Sequence, residues 1–260
     1  YIFKSNLFKD VFEMDFIHYN FVKKVSEIGD FNFKKILKFF RYFFLVFYRL
    51  LFNKPDLVYF PIVPYGSSFY RDSVLVLLIK LFKIPLVYHL HGKGAIKHYS
   101  KATKIYDFVY KNVNVICLSE HLIHDIDFFK GSINIVPNGI EPKVFMPKKE
   151  FNSTPSILYL SNFIKEKGVL QLLKAVALIK DKGVSNFKVN LVGAYTNKIN
   201  EKLIQEFIDK NNLHKEINIL GPLYNSDKEK VFRESDIFCF PTYYKNECFP
   251  LVNECLVVWR

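Results

Sequence analysis

Ile157-Leu158-Tyr159-Leu160-Ser161-Asn162-Phe163-Ile164-Lys165-Glu166-Lys167-Gly168-Val169 reads as a strand, a polar turn and the start of a helix. Residues 157–160 are an apolar run of strand length. Val169, Leu172, Leu173, Val176 and Ile179 then recur at helical spacing. The pattern repeats downstream. Residues 187–192 form a strand ending at Gly193, and Ile199, Leu203, Ile204, Phe207 and Ile208 mark one face of a helix. Residues 217–220 are a strand ending at Gly221, and a helix covers roughly 226–234. Residues 236–240 are mostly apolar and end at Pro241. A polar loop with one acid, Glu247, follows, and then a fresh apolar segment. Strands buried on both faces and joined by helices predict a parallel sheet.

The same alternation occupies the first half. Strands are expected at residues 57–61, 85–91, 113–118 and 133–136, the last running into the turn Pro137-Asn138-Gly139. Helices are expected at 73–82, 99–111 and from Ser119 to about residue 129. Between the halves, residues 145–156 are polar, with Pro147, Lys148-Lys149-Glu150 and Pro155, and read as a linker. The expectation is an α/β chain of two doubly wound domains, 1–147 and 148–260.

Composition narrows the function classes. Half of the residues are hydrophobic, enough for a sizeable core. Cys117, Cys239, Cys248 and Cys255 show no CxxC spacing and form no metal framework. Scattered cysteines of this kind suit a reducing compartment. No apolar run reaches the ~18 residues of a spanning helix. The formal charge of +12 fits an anionic membrane surface or an anionic substrate. It also fits plain Lys-rich composition. Nucleic acid is not expected as a partner, because no helix-turn-helix, zinc or RNP motif is present.

Residues 33–52, FKKILKFFRYFFLVFYRLLF, carry Lys34, Lys35, Lys38, Arg41 and Arg49 on one side of a helix that is otherwise aromatic or aliphatic. Two readings stand side by side. One is a helix in a membrane interface, with Lys34, Lys38, Arg41 and Arg49 as membrane contacts. The other is a core helix with one solvated face.

Three loops after strands of the second half carry candidate chemistry. In the first, Lys167 stands at a helix start, where a cation and free backbone N–H groups can hold a diphosphate. The second, Gly221-Pro222-Leu223-Tyr224-Asn225-Ser226-Asp227-Lys228, offers an apolar cover for a base. The third holds Glu247. Each has a plainer reading: a solvated lysine, an ordinary capped loop, an acid favoured by a helix dipole.

As an ordered set, these motifs resemble the retaining nucleotide-sugar glycosyltransferases of family 4, with the two-domain GT-B fold. The resemblance is carried by Leu160-Ser161-Asn162-Phe163 with Glu166-Lys167-Gly168, by Val192-Gly193, by Leu220-Gly221 and by Ser235-Asp236-Ile237-Phe238-Cys239-Phe240-Pro241-Thr242. It continues through Glu247-Cys248-Phe249-Pro250-Leu251-Val252. In the first half His89-Leu90-His91-Gly92, Cys117-Leu118-Ser119-Glu120 and Val136-Pro137-Asn138-Gly139-Ile140 match too, so that about residues 55–254 are covered.

The resemblance implies two Rossmann-like domains facing a cleft and transfer of a sugar from a nucleotide-diphosphate sugar to a hydroxyl acceptor. It implies roles for particular residues. His91 stands near the reacting sugar, with His89 as the alternative. Lys167 binds the donor diphosphate, while Leu223 and Lys228 line the base pocket. Glu247 holds sugar hydroxyls, and Phe249, Pro250 and Leu251 touch sugar and phosphate. Pro250 lacks the N–H that a glycine would supply.

Two departures stand out. Asn162 replaces a frequent arginine, which shifts diphosphate neutralisation onto Lys167. Glu254 should be the second acid of a pair, but six residues rather than seven separate it from Glu247. That turns its carboxylate by roughly 100° along a helix. No cofactor and no metal are expected. Asp125-Ile126-Asp127 imitates a metal-binding DxD, but falls in an expected helix and reads as surface charge.

The expected product is a cell-surface polysaccharide or glycolipid, made on a saccharide or lipid-linked acceptor. The expected location is cytoplasmic, peripheral at the inner membrane face. The chain begins at Tyr1 and stops at Arg260, which suggests a truncated frame. The rival reading is therefore a non-catalytic fragment that binds a nucleotide or a membrane.

Overall fold

The computed structural model describes residues 6–19, 33–139, 150 and 152–244. They form two compact units that part between Gly139 and Ile140.

The N-terminal unit contains α1 (Asn6–Val11), α2 (Phe33–Phe52), β1 (Val58–Phe60), α3 (Gly66–Leu81), β2 (Leu86–Leu90), α4 (Ala95–Tyr99), α5 (Thr103–Tyr110), β3 (Asn114–Cys117), a 3-10 run (Glu120–Ile126) and β4 (Ile133–Ile135). Its four strands are parallel, in the order β1-β2-β3-β4. Leu86, Tyr88 and Leu90 share a buried cluster with Val115, Cys117, α3 and α5. Strand alternation sends His89 to the opposite face of β2. The core is aromatic: Phe69 stacks on Tyr106 at 4.1 Å between centroids. The Tyr88 and Tyr106 hydroxyls donate to the carbonyls of Val109 and Pro64, each at 2.8 Å. Buried hydroxyls need such partners.

Two expected helices take different forms. The helix expected over 99–111 starts later, as α5 at Thr103, because Ala102 breaks the helical path with φ −149°; α4, over residues 95–99, precedes it and was not expected. The helix expected from Ser119 is a 3-10 run instead. Its Asp125 is drawn inward rather than left as surface charge: Asp125 is buried, and its Oδ2 accepts from the N–H groups of Gly94 at 2.6 Å and Ala95 at 2.8 Å. Asp127 remains exposed, as expected.

The C-terminal unit contains β5 (Ser156–Leu160), a 3-10 turn (Lys165–Lys167), α6 (Val169–Asp181), β6 (Lys188–Val192), α7 (Glu201–Lys210), β7 (Ile217–Gly221), α8 (Asn225–Glu234) and β8 (Ile237–Phe238). All strand pairs are parallel and the order is β7-β6-β5-β8. Helices cover both faces, as in a doubly wound sheet. Tyr159, Val189 and Leu191 pack against α6 and α7, whereas Leu158, Leu160 and Val192 pack against Phe232 of α8. Asn200 caps α7 by accepting from the Leu203 N–H at 3.0 Å. Asp236, buried before β8, accepts from the N–H groups of Ser156 at 2.7 Å and Asn152 at 3.1 Å, which fastens the start of β5 to the edge strand.

Candidate functional site

The strand order of the C-terminal unit reverses between β5 and β8. In open α/β sheets the crevice beyond the carboxyl ends of such strands is where ligands bind, because the two following loops diverge there. Here those loops are 161–168 and 239–244.

The first loop is built on backbone pairing. Ser161 N–H donates to Val192 O and Phe163 N–H to Ala194 O, both at 2.9 Å. Asn162 is half-buried, and its Oδ1 accepts from the Ala194 N–H at 3.3 Å. Its side chain thus ties the loops after β5 and β6 together. The chain then tightens into the 3-10 turn: Lys167 N–H donates to Ile164 O at 3.0 Å and Gly168 N–H to Lys165 O at 3.2 Å. Gly168, at φ +88°, is the N-cap of α6, and no side chain caps that helix. The N-terminus of α6 therefore presents backbone donors beside Lys167, the arrangement that suits an anion.

The second loop lies against this turn. Tyr243 N–H donates to Glu166 O at 2.9 Å and the Thr242 hydroxyl to the same carbonyl at 3.3 Å. Gly168 faces the backbone of Pro241. The ammonium of Lys167 lies 5.6 Å from the ring centroid of Phe240 and 5.1 Å from that of Tyr244, within cation–π range. Glu247 comes three residues after Tyr244 in sequence. Glu247, Phe249, Pro250, Leu251 and Glu254 lie outside the described residues.

Leu223 and Lys228 follow β7, two strands away from β5. Leu223 packs, half-buried, against the cluster of Leu158, Leu160, Val192 and Phe232. Lys228 stands half-buried in the first turn of α8, its N–H donating to Tyr224 O at 3.4 Å. The structure thus brings Asn162 and Lys167 into one loop and joins that loop to the route toward Glu247.

In the N-terminal unit, His91 follows directly on β2 and is exposed. His89 is 7% exposed, and its ring centroid lies 4.2 Å from that of His91. The Tyr59 hydroxyl pairs with Nδ1 of His89, while Nε2 is buried with no hydrogen-bond partner among the described residues. Burial, and then the neighbouring His91, push the His89 pKa down to about 4. His91 moves downward too: protein packed against its ring disfavours the charged form although the residue as a whole is exposed. The glycine loop after His91 is held by Asp125 through Gly94 and Ala95.

On α2, Lys34 and Arg41 are exposed and Lys38 half-buried. Arg49 is ion-paired with Asp15. Phe33, Leu37, Phe40, Phe44, Tyr48 and Leu51 are exposed and recur every three or four residues. Phe43, Val46 and Leu50 face the core instead. Among the described residues no helix is long and apolar enough to cross a membrane, and no group of three or more His, Cys, Asp or Glu could hold a metal ion.

Lys167 stands directly before a helix, as the sequence placed it, but Phe240 and Tyr244 were not read as its neighbours. The signal was the aromatic density of Phe240-Pro241-Thr242-Tyr243-Tyr244. Buried Asp125 was missed as well.

Residues 142–253 match the family model described as glycosyl transferases group 1. No curated protein matches. Among solved structures, an alpha,alpha-trehalose-phosphate synthase (UDP-forming) from Burkholderia vietnamiensis is similar over 90% of this chain and 62% of its own, at 11% identity and a TM-score of 0.65. Anabaena Alr3699/HepE in complex with UDP-glucose is similar over 83% of this chain and 60% of its own, at 16% identity and a TM-score of 0.63. TarM of S. aureus is similar over 83% of this chain and 43% of its own, at 16% identity and a TM-score of 0.60. This chain therefore has the α/β, parallel-sheet fold of GT-B glycosyltransferase structures and spans less than two thirds of their length.

Proposed function

We propose that this chain belongs to a retaining glycosyltransferase of family 4, which moves a sugar from a nucleoside-diphosphate sugar to a hydroxyl of a saccharide or lipid-linked acceptor. The observation that carries the reading is the fastening of the Lys167 turn to the loop leading to Glu247, at the strand-order reversal of the C-terminal unit.

In the proposed reaction the bond between the anomeric carbon and the diphosphate oxygen breaks, and a bond to the acceptor oxygen forms on the same face. The acceptor's hydroxyl proton passes to the departing diphosphate oxygen. The diphosphate gains negative charge as it leaves, and preorganised donors are the effective way to stabilise it. That task falls to Lys167 and the N-terminus of α6. Glu247 would hold sugar hydroxyls, with Phe249, Pro250 and Leu251 beside sugar and phosphate. Leu223 and Lys228 would border the base. The assignment of His91 to the sugar rests on its motif alone. The UDP bound to Alr3699/HepE makes UDP the first ligand to try.

Isothermal titration with UDP, GDP, ADP and TDP tests this. One of them should bind, and Lys167→Ala should weaken it about 10- to 100-fold, the worth of one charge-assisted contact. Binding to none of the four would overturn the enzyme reading and leave the non-catalytic fragment.

We place the reaction at the cytoplasmic face of the membrane, in the making of a cell-surface polysaccharide or glycolipid. The exposed aromatic row of α2, with Lys34, Lys38 and Arg41 about 100° around the helix, supports this. Lys38 and Arg41 have no ion pair among the described residues. Co-sedimentation with vesicles rich in anionic phospholipid should fall at least tenfold, roughly, on the double change Lys38→Glu and Arg41→Glu. Equal sedimentation of both proteins, or none of either, would remove the membrane from the proposal.

A further inference from the structure

A lysine that must meet a diphosphate has a long flexible stem, and fixing it on binding costs affinity. Lys167 is not left to be fixed at that moment. Its ammonium sits within 5.1–5.6 Å of two ring centroids, Tyr244 and Phe240. The rings themselves are anchored. Tyr244 N–H donates to the Thr242 hydroxyl at 3.2 Å, and that hydroxyl in turn donates to the carbonyl of Glu166, the residue before Lys167. The Phe240 ring lies 6.2 Å from Tyr159, whose hydroxyl donates to the carbonyl of Lys167 itself at 3.3 Å. Ring, turn and lysine are therefore connected through short chains of contacts.

We propose that Phe240 and Tyr244 are positioning residues that hold the Lys167 ammonium in place for a pyrophosphate group. The inference rests on the proposed role of Lys167 in binding a diphosphate. The ring faces carry the negative side of the aromatic quadrupole. They attract the cation without neutralising it, as a carboxylate would. These contacts set the position of the ammonium before the ligand arrives.

Three features separate this from a merely structural role. The ring, rather than the hydroxyl, matters at residue 244. The effect acts only through the cation. It extends to a ligand without a base. The experiment measures binding of UDP and of inorganic pyrophosphate to the chain and to Tyr244→Leu, Tyr244→Ser and Tyr244→Phe, each with and without Lys167→Ala. Tyr244→Leu and Tyr244→Ser should weaken both ligands about five- to tenfold. Tyr244→Phe should restore binding to within about twofold. In the Lys167→Ala background none of the three should change affinity further, which is the signature of coupled residues. Equal losses from Tyr244→Leu with and without Lys167 would overturn the inference, as would unchanged affinity in Tyr244→Leu and Tyr244→Ser. If Lys167→Ala itself changes nothing, the functional reading of Lys167 fails. If Lys167→Ala weakens binding and the ring substitutions do not, only the positioning role fails.

Discussion

Gly168→Ala is expected to destabilise the C-terminal unit by roughly 2–5 kcal/mol and to weaken nucleotide binding more than tenfold. The reason is local and steric. Gly168 has φ +88°, a left-handed conformation that costs an L-residue about 1–2 kcal/mol. A methyl group there would also stand 2.1 Å from the carbonyl oxygen of Pro241 and 2.6 Å from its carbon. Those are backbone atoms, so no side chain can swing aside. The loop carrying Thr242, Tyr243 and Tyr244 would have to lift from Glu166, taking the aromatic neighbours of Lys167 with it. Gly183 is the internal control. Its φ is +84°, yet a methyl group there would meet nothing within 4 Å. Gly183→Ala should cost only the conformational penalty and leave binding alone. Urea denaturation followed by circular dichroism, with UDP titration of both variants, separates the two effects. If Gly168→Ala is no worse than Gly183→Ala, the two loops are not mechanically joined.

That junction also marks the border of what could be read from residue order. Each strand of the C-terminal unit is a short apolar run closed by a polar turn or glycine, so the runs at 157–160, 187–192 and 217–220 correspond to β5, β6 and β7 within a residue or so. Periodicity carries that information locally. It carries none about which strand lies beside which, and the reversal at β5 and β8 is a matter of pairing. Lys167 was legible because a lysine at a helix start has a recognisable local setting. Its aromatic neighbours were not, because Tyr244 reaches it through a hydrogen bond between loops 76 residues apart in the chain. Asp125 failed for the same reason. Helical spacing and charge place it on a surface, whereas the unpaired N–H groups of Gly94 and Ala95, some 30 residues earlier, pull it inside. A buried carboxylate requires such donors, and their location is set by tertiary packing.

His89 should make the N-terminal unit sensitive to acid. Buried beneath His91, it has its pKa lowered from 6.5 to about 4, by burial first and by its neighbour second. The unfolded chain, with an ordinary imidazole, therefore binds a proton that the folded chain refuses between those values. Stability rises with pH wherever the unfolded state binds more protons. The contribution is thus unimpaired above about pH 6.5, declines as pH falls through that value, and levels off below about pH 4. At about 1.4 kcal/mol for each tenfold change in proton affinity, the full loss is roughly 3 kcal/mol. Protonation also makes both ring nitrogens donors, and among the described residues Nε2 has no acceptor. The charged ring would have to leave its place beside His91, so the loss of stability should be accompanied by disorder at the candidate sugar contact. Denaturation midpoints at pH 7.5 and pH 5, compared between the chain and His89→Gln, isolate the term, because glutamine keeps a polar partner for Tyr59 without titrating. The wild-type midpoint should fall more steeply between the two pH values than that of His89→Gln. Parallel slopes would mean that His89 takes up a proton as readily in the folded chain as in the unfolded one, and that its burial beside His91 does not suppress its charge.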